Sequence, residues 1–103
     1  MSKTFQAVYP ITDGTSFDYG YYVETHLPLV EEYFGPHGMM SISATKGIAG
    51  GPGTPPSFFA IATMTFPDEA SLNAALGAAG PVLADIPNFT NCSPNVLIGE
   101  GIY

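Results

Sequence analysis

The stretch YYVETHLPLV, residues 21–30, places a histidine inside a pattern typical of an amphipathic helix. Imidazole exchanges a proton near neutral pH more readily than any other side chain, so this histidine is the first residue to consider for chemistry. At about 100° per residue, His26 lies in the apolar arc of the helix, flanked by Tyr22 and Tyr33. His26 is therefore a candidate catalytic residue. The two tyrosines are candidates for binding a substrate oxygen.

Pro28 follows His26 after one intervening residue and could open space beside the imidazole by disturbing the helix. Proline has no N–H, and its ring collides with the carbonyl group four residues earlier in an α-helix. The preceding residue, Leu27, is also pushed away from helical angles. This predicts a kink or a local opening of the helix next to His26, with space for a ligand. Alternatively, the helix begins later and Pro28 only distorts a turn at the surface.

His26 also has a purely structural interpretation. A core histidine that hydrogen-bonds a neighbouring tyrosine hydroxyl would leave the same pattern in the sequence. Spacing along the helix does not distinguish this interpretation from a catalytic one.

Two residues elsewhere in the chain could meet the imidazole. Tyr9 ends the first predicted strand on the same side as Phe5 and Ala7, so it lies near His26 if that side faces the helices. Asp85 could orient the imidazole, as carboxylates often do. In LADIPNFT, however, the favoured interpretation is that Asp85 turns the chain into the following proline.

No cofactor and no metal ion is predicted. His26 and His37 are eleven residues apart, and no cysteine or acid stands at ligand spacing from them. His37, in GPHG, is expected in an exposed loop, and Cys92 has no basic neighbour in sequence to activate it. Haem is disfavoured because no arginine is present to hold its propionates.

The charge balance restricts the partners. Lys3 and Lys46 are the only cations among 103 residues, and the net charge is −7. Phosphate backbones and anionic membrane surfaces would repel such a chain, which argues against both as partners. A ligand should be small, neutral and hydrophobic. Since Cys92 is the single cysteine and no apolar run resembles a signal peptide or a membrane span, we expect a cytoplasmic protein.

The element order predicts the fold. Alternation and turn residues indicate β-α-β-β-α-β, which is typical of a ferredoxin-like α+β domain covering residues 1–103. Its four-stranded antiparallel sheet would have the helices on one face, and the uncovered face predicts a homodimer. The third strand is apolar on both sides, which predicts a central strand covered on both faces. Strands are expected at 4–10, 39–47, 57–66 and 95–103, helices at 17–34, 69–79 and 82–86, and a loop at 48–56.

The first helix should begin near Phe17, with Thr15 and Asp18 forming a weak capping box. Asp68 is expected to cap the second helix.

Most of the chain resembles the EthD family, which is named for a protein of ethyl tert-butyl ether degradation. The resemblance rests on the His-x-Pro-Leu pattern of His26, Pro28 and Leu29 within FDYGYYVETHLPLVEEYFG, and on VYPITDG, FFAIATMTF and VLADIPNFTN. It implies a dimeric α+β barrel, in which two ferredoxin-like sheets pack face to face. It also implies a pocket between the helices and the sheet, into which His26 should point and which Asn88 and Phe89 could border.

The superfamily of this resemblance includes cofactor-independent oxygenases, lactone isomerases, and decarboxylases or dehydratases of aromatic polyketides, besides some haem enzymes. The leading hypothesis is a small cofactor-independent enzyme of a degradation or aromatic-metabolite pathway. Its substrate would be a neutral hydrophobic compound, aromatic or carbonyl-bearing. His26 would move a proton in an isomerase, dehydratase, decarboxylase or oxygenase reaction, while Tyr22 and Tyr9 hold the substrate's oxygen.

Two other functions stay open. The chain could be a non-catalytic binding module that sequesters a hydrophobic intermediate for a partner monooxygenase. It could also have a filled core and act only through its surface, which predicts that no sizeable pocket lies beside His26.

Overall fold

The computed structural model describes residues 1–103 and contains one four-stranded antiparallel sheet with the helices on one of its faces. The strand order is β2-β3-β1-β4, so that the first and third strands are central, as the sequence predicts for the third. This confirms the ferredoxin-like α+β fold. The strands are β1 (Lys3–Pro10), β2 (Ser41–Lys46), β3 (Phe58–Phe66) and β4 (Asn95–Glu100).

Two helical regions connect the strands on that face. Between β1 and β2 the chain forms α1 (Tyr19–Tyr21), a π-helical segment (Tyr22–His26), α2 (Leu27–Phe34) and a 3-10 turn (Gly35–His37). After β3 follow α3 (Glu69–Gly77), α4 (Gly80–Asp85) and a second 3-10 turn (Ile86–Asn88). None of these helices has the length and apolar character needed to cross a bilayer.

Asp18 alone caps the first helical region. Its carboxylate accepts a hydrogen bond from the Tyr21 N–H at 3.1 Å, and the helix begins at Tyr19. The predicted capping role of Thr15 is wrong, because its hydroxyl donates to the Thr12 carbonyl at 2.6 Å and closes the preceding turn. The predicted cap of α3 is confirmed, since Asp68 accepts from the Ser71 N–H at 2.8 Å.

The helix opens just before Pro28, as the sequence predicts. The N–H of Leu27 bonds to the carbonyl of Tyr22, five residues earlier, so this turn is wider than an α-helical turn. Pro28 has no N–H to continue the α-helical pattern. A π-helical turn carries more residues per turn than an α-helix, and such turns often occur at functional sites. Here it brings His26 to the inner side of the helix, where it is 3% exposed.

The side chains that fill the core between sheet and helices are large at both ends of the sheet and small in its middle. Phe66, which is fully buried, packs against Phe34 at one end. At the other end Tyr9 packs against Phe17 and further aromatic rings. Between them, Ala7 of β1 pairs with Ala62 of β3, and Ala62 also pairs with Ala44 of β2. This row of small side chains leaves space under the helices.

The helix-free face of the sheet is more polar than expected. Because side chains alternate along a strand, Thr63 and Thr65 lie on the face opposite the buried Ala62 and Met64. Gln6 of β1 donates a hydrogen bond to the Thr63 hydroxyl at 3.0 Å. The prediction that β3 is apolar on both sides is therefore wrong in this part, where threonines combine β-branched shape with a polar hydroxyl.

Substituting Gly47 by alanine should destabilise the fold. A Cβ at this position would lie 2.0 Å from the Phe58 carbonyl oxygen, an overlap that backbone atoms must relieve. We expect a loss of about 1–3 kcal/mol, the usual cost of overpacking. Thermal unfolding should detect it, since 1 kcal/mol lowers Tm by about 4–8 °C in a domain of this size.

Gly77→Ala is the matched control, because nothing lies within 4 Å of a Cβ placed there, at the end of α3. Its Tm should be unchanged or higher. Equal Tm values for the two variants would contradict the close approach at Gly47.

Candidate functional site

The site is built around a hydrogen bond between two helical regions. His26 Nδ1 lies 2.9 Å from Asp85 Oδ2, and the Asp85 side chain is 11% exposed. The π-helical segment presents the histidine, and the end of α4 presents the carboxylate. The favoured sequence interpretation of Asp85 as a turn residue is therefore corrected, because its carboxylate orients the imidazole.

Two further donors hold the Asp85 carboxylate. The Tyr21 hydroxyl donates to Oδ1 at 2.6 Å, and the Asn88 amide donates to the same oxygen at 3.0 Å. Partial burial works to raise the pKa of Asp85, but the hydrogen bonds from Tyr21, Asn88 and His26 outweigh it and hold that pKa below its ordinary value. Asp85 is therefore ionised at neutral pH.

The imidazole of His26 is neutral at neutral pH. Burial lowers its pKa below the ordinary value for histidine, and the neighbouring Asp85 carboxylate opposes this shift only in part. Since the carboxylate can only accept, Nδ1 carries the proton and Nε2 carries a free electron pair. Nε2 makes no hydrogen bond within the protein. This is the arrangement of a general base whose tautomer is fixed by a carboxylate.

A cavity of about 40 Å³ lies beside His26, between the sheet and the helices. By the usual requirement of about 10–15 Å³ per molecule, it has room for a few waters or a small group. Its walls are almost entirely apolar, and the paired Ala7 and Ala62 contribute to its floor. The core beside His26 is therefore not completely filled. Leu83 and Val96, both more than half exposed, also line the cavity and mark its outer side.

Tyr22 supplies the second polar group of the cavity. It is 2% exposed, and its hydroxyl is the only buried side-chain polar atom in the chain without a hydrogen-bond partner. Burial raises the pKa of Tyr22 to about 12, so the phenol stays protonated and can donate. Its ring runs nearly parallel to the imidazole of His26, at 15° with the ring centres 5.6 Å apart.

Tyr9 lines the same cavity and packs edge-on against Tyr22. Burial raises the pKa of the Tyr9 hydroxyl well above its ordinary range, and a charge on Tyr22 would raise it further. Of the residues predicted to form the site, the structure therefore brings together His26, Tyr22 and Tyr9.

The remaining predicted residues lie around or outside the cavity. Phe89 packs against the imidazole with ring centres 4.5 Å apart, and Asn88 reaches Asp85 from an exposed position. Tyr33 is half-buried and does not line the cavity, because the π-helical turn rotates α2 away from the position that an unbroken α-helix would give it. Tyr21 was missed by the sequence interpretation, and only its adjacency to Tyr22 marks it.

The other groups considered from the sequence take no part in this site. His37 lies in the 3-10 turn after α2 and is half-buried rather than exposed. Cys92 is a buried free cysteine that receives a hydrogen bond from the Thr90 hydroxyl at 3.3 Å. No group of three or more His, Cys, Asp or Glu side chains is placed to hold a metal ion.

A second depression lies next to the loop at 48–56. Its volume of about 410 Å³ is larger than that of the cavity beside His26, but it is an open surface feature. Lys46 is its only charged residue, and it contains no histidine, tyrosine or carboxylate. Size alone would favour this depression. The cavity beside His26 is the better candidate because it is more enclosed and because His26, Tyr22 and Tyr9 bring polar side chains to its lining.

Fold and site together define a small ferredoxin-like α+β protein with a buried histidine–carboxylate pair beside an apolar cavity. Residues 15–93 match the EthD domain family, and the chain belongs to that family. An EthD-like protein from Ralstonia eutropha JMP134 is 32% identical, with a TM-score of 0.86 over 96% of this chain and 90% of that one.

More distant structures share the fold. An ethyl tert-butyl ether degradation (EthD) family protein from Bacillus halodurans C-125 is 23% identical, with a TM-score of 0.78 over 99% of this chain and all of that one. SnoaB from Streptomyces nogalater, a cofactor-independent oxygenase, is 10% identical, with a TM-score of 0.59 over 98% and 95% of the two chains. A search of curated proteins finds no match.

Replacing Asp85 by asparagine should lower the pKa of His26 further. The carboxylate raises the pKa of His26 against the effect of burial, and an amide removes that attraction. The measurement is an NMR pH titration of the His26 ring protons. Asp13→Asn, in the exposed turn before the helix, is the control and should leave the His26 titration unchanged. A rise in the His26 pKa in Asp85→Asn would contradict this description of the pair.

Acid should destabilise the protein through His26 at pH values above the range where carboxylates titrate. The pKa of His26 in the folded state lies below its unfolded value of about 6.5, so the unfolded chain binds more protons as pH falls through that value. The free energy of unfolding should therefore decrease from pH 7.5 to pH 5, by at most about 1.4 kcal/mol per pH unit. Asp85 adds nothing here, because its lowered pKa matters only below about 3.9.

Urea denaturation across this range measures the slope. His26→Gln should flatten it, whereas His37→Gln should keep it. A slope that persists in His26→Gln would show that another group is responsible.

Proposed function

We propose that this protein is a cofactor-independent enzyme that moves a proton within a small, neutral, hydrophobic compound, with His26 as general base and acid. One observation carries the proposal. A buried, neutral imidazole that lines an apolar cavity has Nδ1 bound to an ionised carboxylate, while its Nε2 has no protein partner.

In the proposed reaction Nε2 of His26 takes a proton from the substrate. The imidazolium that forms is stabilised by the Asp85 carboxylate, 2.9 Å from Nδ1. Negative charge develops on a substrate oxygen. The hydroxyls of Tyr22 and Tyr9 would stabilise this charge by donating hydrogen bonds, in an environment from which water is largely excluded. His26 can then return the proton at another atom. Isomerisation, dehydration and oxygenation can all begin with such a step.

The assembly and location of the enzyme are part of this proposal. We expect a homodimer of single-domain subunits, covering residues 1–103, whose helix-free sheet faces meet. Leu97 of β4 lies on that face and is 57% exposed, which favours a partner there. A structural neighbour from an uncultured marine organism, 15% identical, is described as a dimeric ferredoxin-like protein. The free thiol of Cys92 suits a reducing compartment such as the cytoplasm.

The alternative is a non-catalytic module that holds a hydrophobic intermediate for a partner monooxygenase. The unpartnered hydroxyl of Tyr22 favours it, because this donor would bind a ligand oxygen whether or not a proton moves. The two functions differ in whether His26 is needed for turnover or only for the shape of the cavity.

A screen of neutral aromatic ketones, phenols and lactones by thermal stabilisation should identify ligands. Binding at one hundred times the dissociation constant stabilises the native state by about 2.7 kcal/mol, which is readily detected. Each hit is then incubated with the protein and followed by NMR for conversion. His26→Gln should reduce conversion by about 10²- to 10⁴-fold, the usual contribution of general acid–base catalysis.

His37→Gln is the matched control and should convert the hit at the wild-type rate, since His37 does not line the cavity. If ligands bind but none is converted, the binding module is supported and the enzyme is not. Equal conversion by wild type and His26→Gln would exclude His26 as the catalytic residue.

A further inference from the structure

Residues that line the cavity carry unpartnered hydrogen-bonding groups of opposite polarity. Nδ1 of His26 donates to Asp85, so Nε2 can only accept a proton or a hydrogen bond. The buried hydroxyl of Tyr22 has no partner, and it is a protonated phenol that can donate. Tyr9 brings a second protonated phenol to the same cavity. A ligand that satisfies these groups must offer an acceptor to the tyrosines and a hydrogen to His26.

The charges around the cavity exclude anions. Neither cationic side chain lines it, because Lys3 pairs with Glu100 and Lys46 lies 4.4 Å above the ring of Tyr19. The ionised carboxylate of Asp85 stands directly behind the imidazole. A carboxylate or phosphate in the cavity would lose its hydration without gaining a counter-ion, and it would be repelled by Asp85.

The apolar walls restrict the ligand further. Apart from the tyrosines and His26, the cavity is lined by hydrocarbon side chains and Met64. An additional hydroxyl or amide on the ligand would be buried without a partner, which is costly. The carbon skeleton must therefore be apolar. In a substrate that turns over by the proposed proton transfer, the hydrogen that faces Nε2 is carried by carbon, because exchange of an O–H proton needs no catalyst.

Building on the proposed function, we propose that the substrate class is a neutral enolisable ketone, with its carbonyl oxygen bound by Tyr22 and its α C–H facing His26 Nε2. Nε2 takes the α proton, and the C–H electron pair becomes the new C=C bond. The carbonyl π pair moves to the oxygen, where the Tyr22 hydroxyl donates its hydrogen bond. The reverse step returns the proton to carbon. The reaction is a keto–enol interconversion that needs no oxidant, reductant or second substrate.

Three compounds with one skeleton test the ligand class. Cyclopentanone has the carbonyl and α C–H bonds, cyclopentane has neither oxygen nor acidity, and cyclopentanecarboxylate carries a charge. Ligand-observed NMR titrations should give the ketone a dissociation constant about tenfold lower than that of cyclopentane, the value of one well-placed hydrogen bond. The carboxylate should bind more weakly than cyclopentane.

Tyr22→Phe should abolish the preference for the ketone over cyclopentane, because it removes only the hydroxyl. Tyr33→Phe, which alters a tyrosine outside the cavity, should keep the preference. Circular dichroism and thermal unfolding establish that both variants are folded, and Tyr22→Phe should be at least as stable as the wild type, since it removes an unpartnered buried hydroxyl. Equal binding of ketone and cyclopentane, tighter binding of the carboxylate, or no binding of the ketone would each overturn the proposed class.

A hydrogen–deuterium exchange experiment distinguishes a failure of this inference from a failure of the proposed function. In D₂O the protein should accelerate the exchange of the α hydrogens of cyclopentanone, His26→Gln should lose the acceleration, and His37→Gln should keep it. Selective ketone binding without His26-dependent exchange would overturn the catalytic function and leave the ligand polarity supported. Exchange that depends on His26 but is accompanied by equal binding of all three compounds would overturn the ligand class alone.

Discussion

The hydrogen bond between His26 and Asp85 is the interaction on which the site depends. It joins residues separated by 59 positions and ties the π-helical segment to the end of α4. It also decides the protonation of the site, because an ionised carboxylate can only accept and therefore places the single imidazole proton on Nδ1. Tyr21 and Asn88 keep the carboxylate ionised by donating to its other oxygen. Without this arrangement, Nε2 would have no fixed role in the cavity.

The cavity results from small side chains in the centre of an otherwise bulky core. The paired alanines Ala7 and Ala62 leave space in the centre of the sheet, and the bulky Phe66 and Tyr9 fill the core on either side. The unpartnered hydroxyl of Tyr22 costs about 1–3 kcal/mol, the penalty for a buried polar group without a hydrogen bond. Proteins retain such stability defects mainly where activity or binding requires them. The cavity thus combines a neutral imidazole and a neutral phenol with apolar walls.

Membership of the EthD family defines the fold of this chain but not its chemical activity. The relative from Ralstonia eutropha JMP134 has nearly the same backbone at 32% identity, and the fold is shared with SnoaB at 10% identity. A fold that persists at such low identity hosts different sites, so the reaction must be argued from the side chains of this chain. Here those side chains are His26, Asp85 and Tyr22.

The sequence alone determined the fold and the position of the histidine, because both follow from local periodicity. Alternating strands, the Asp68 cap and the apolar arc around His26 depend on residues close together in the chain, and so does the opening before Pro28. The expectation of a neutral ligand also comes from the sequence, which has two lysines and no arginine. Only the tertiary structure decided that Asp85 orients the imidazole and that Tyr33 lies outside the cavity. The first depends on a contact between distant segments, and the second on a rotation introduced by the π-helical turn; helical spacing encodes neither.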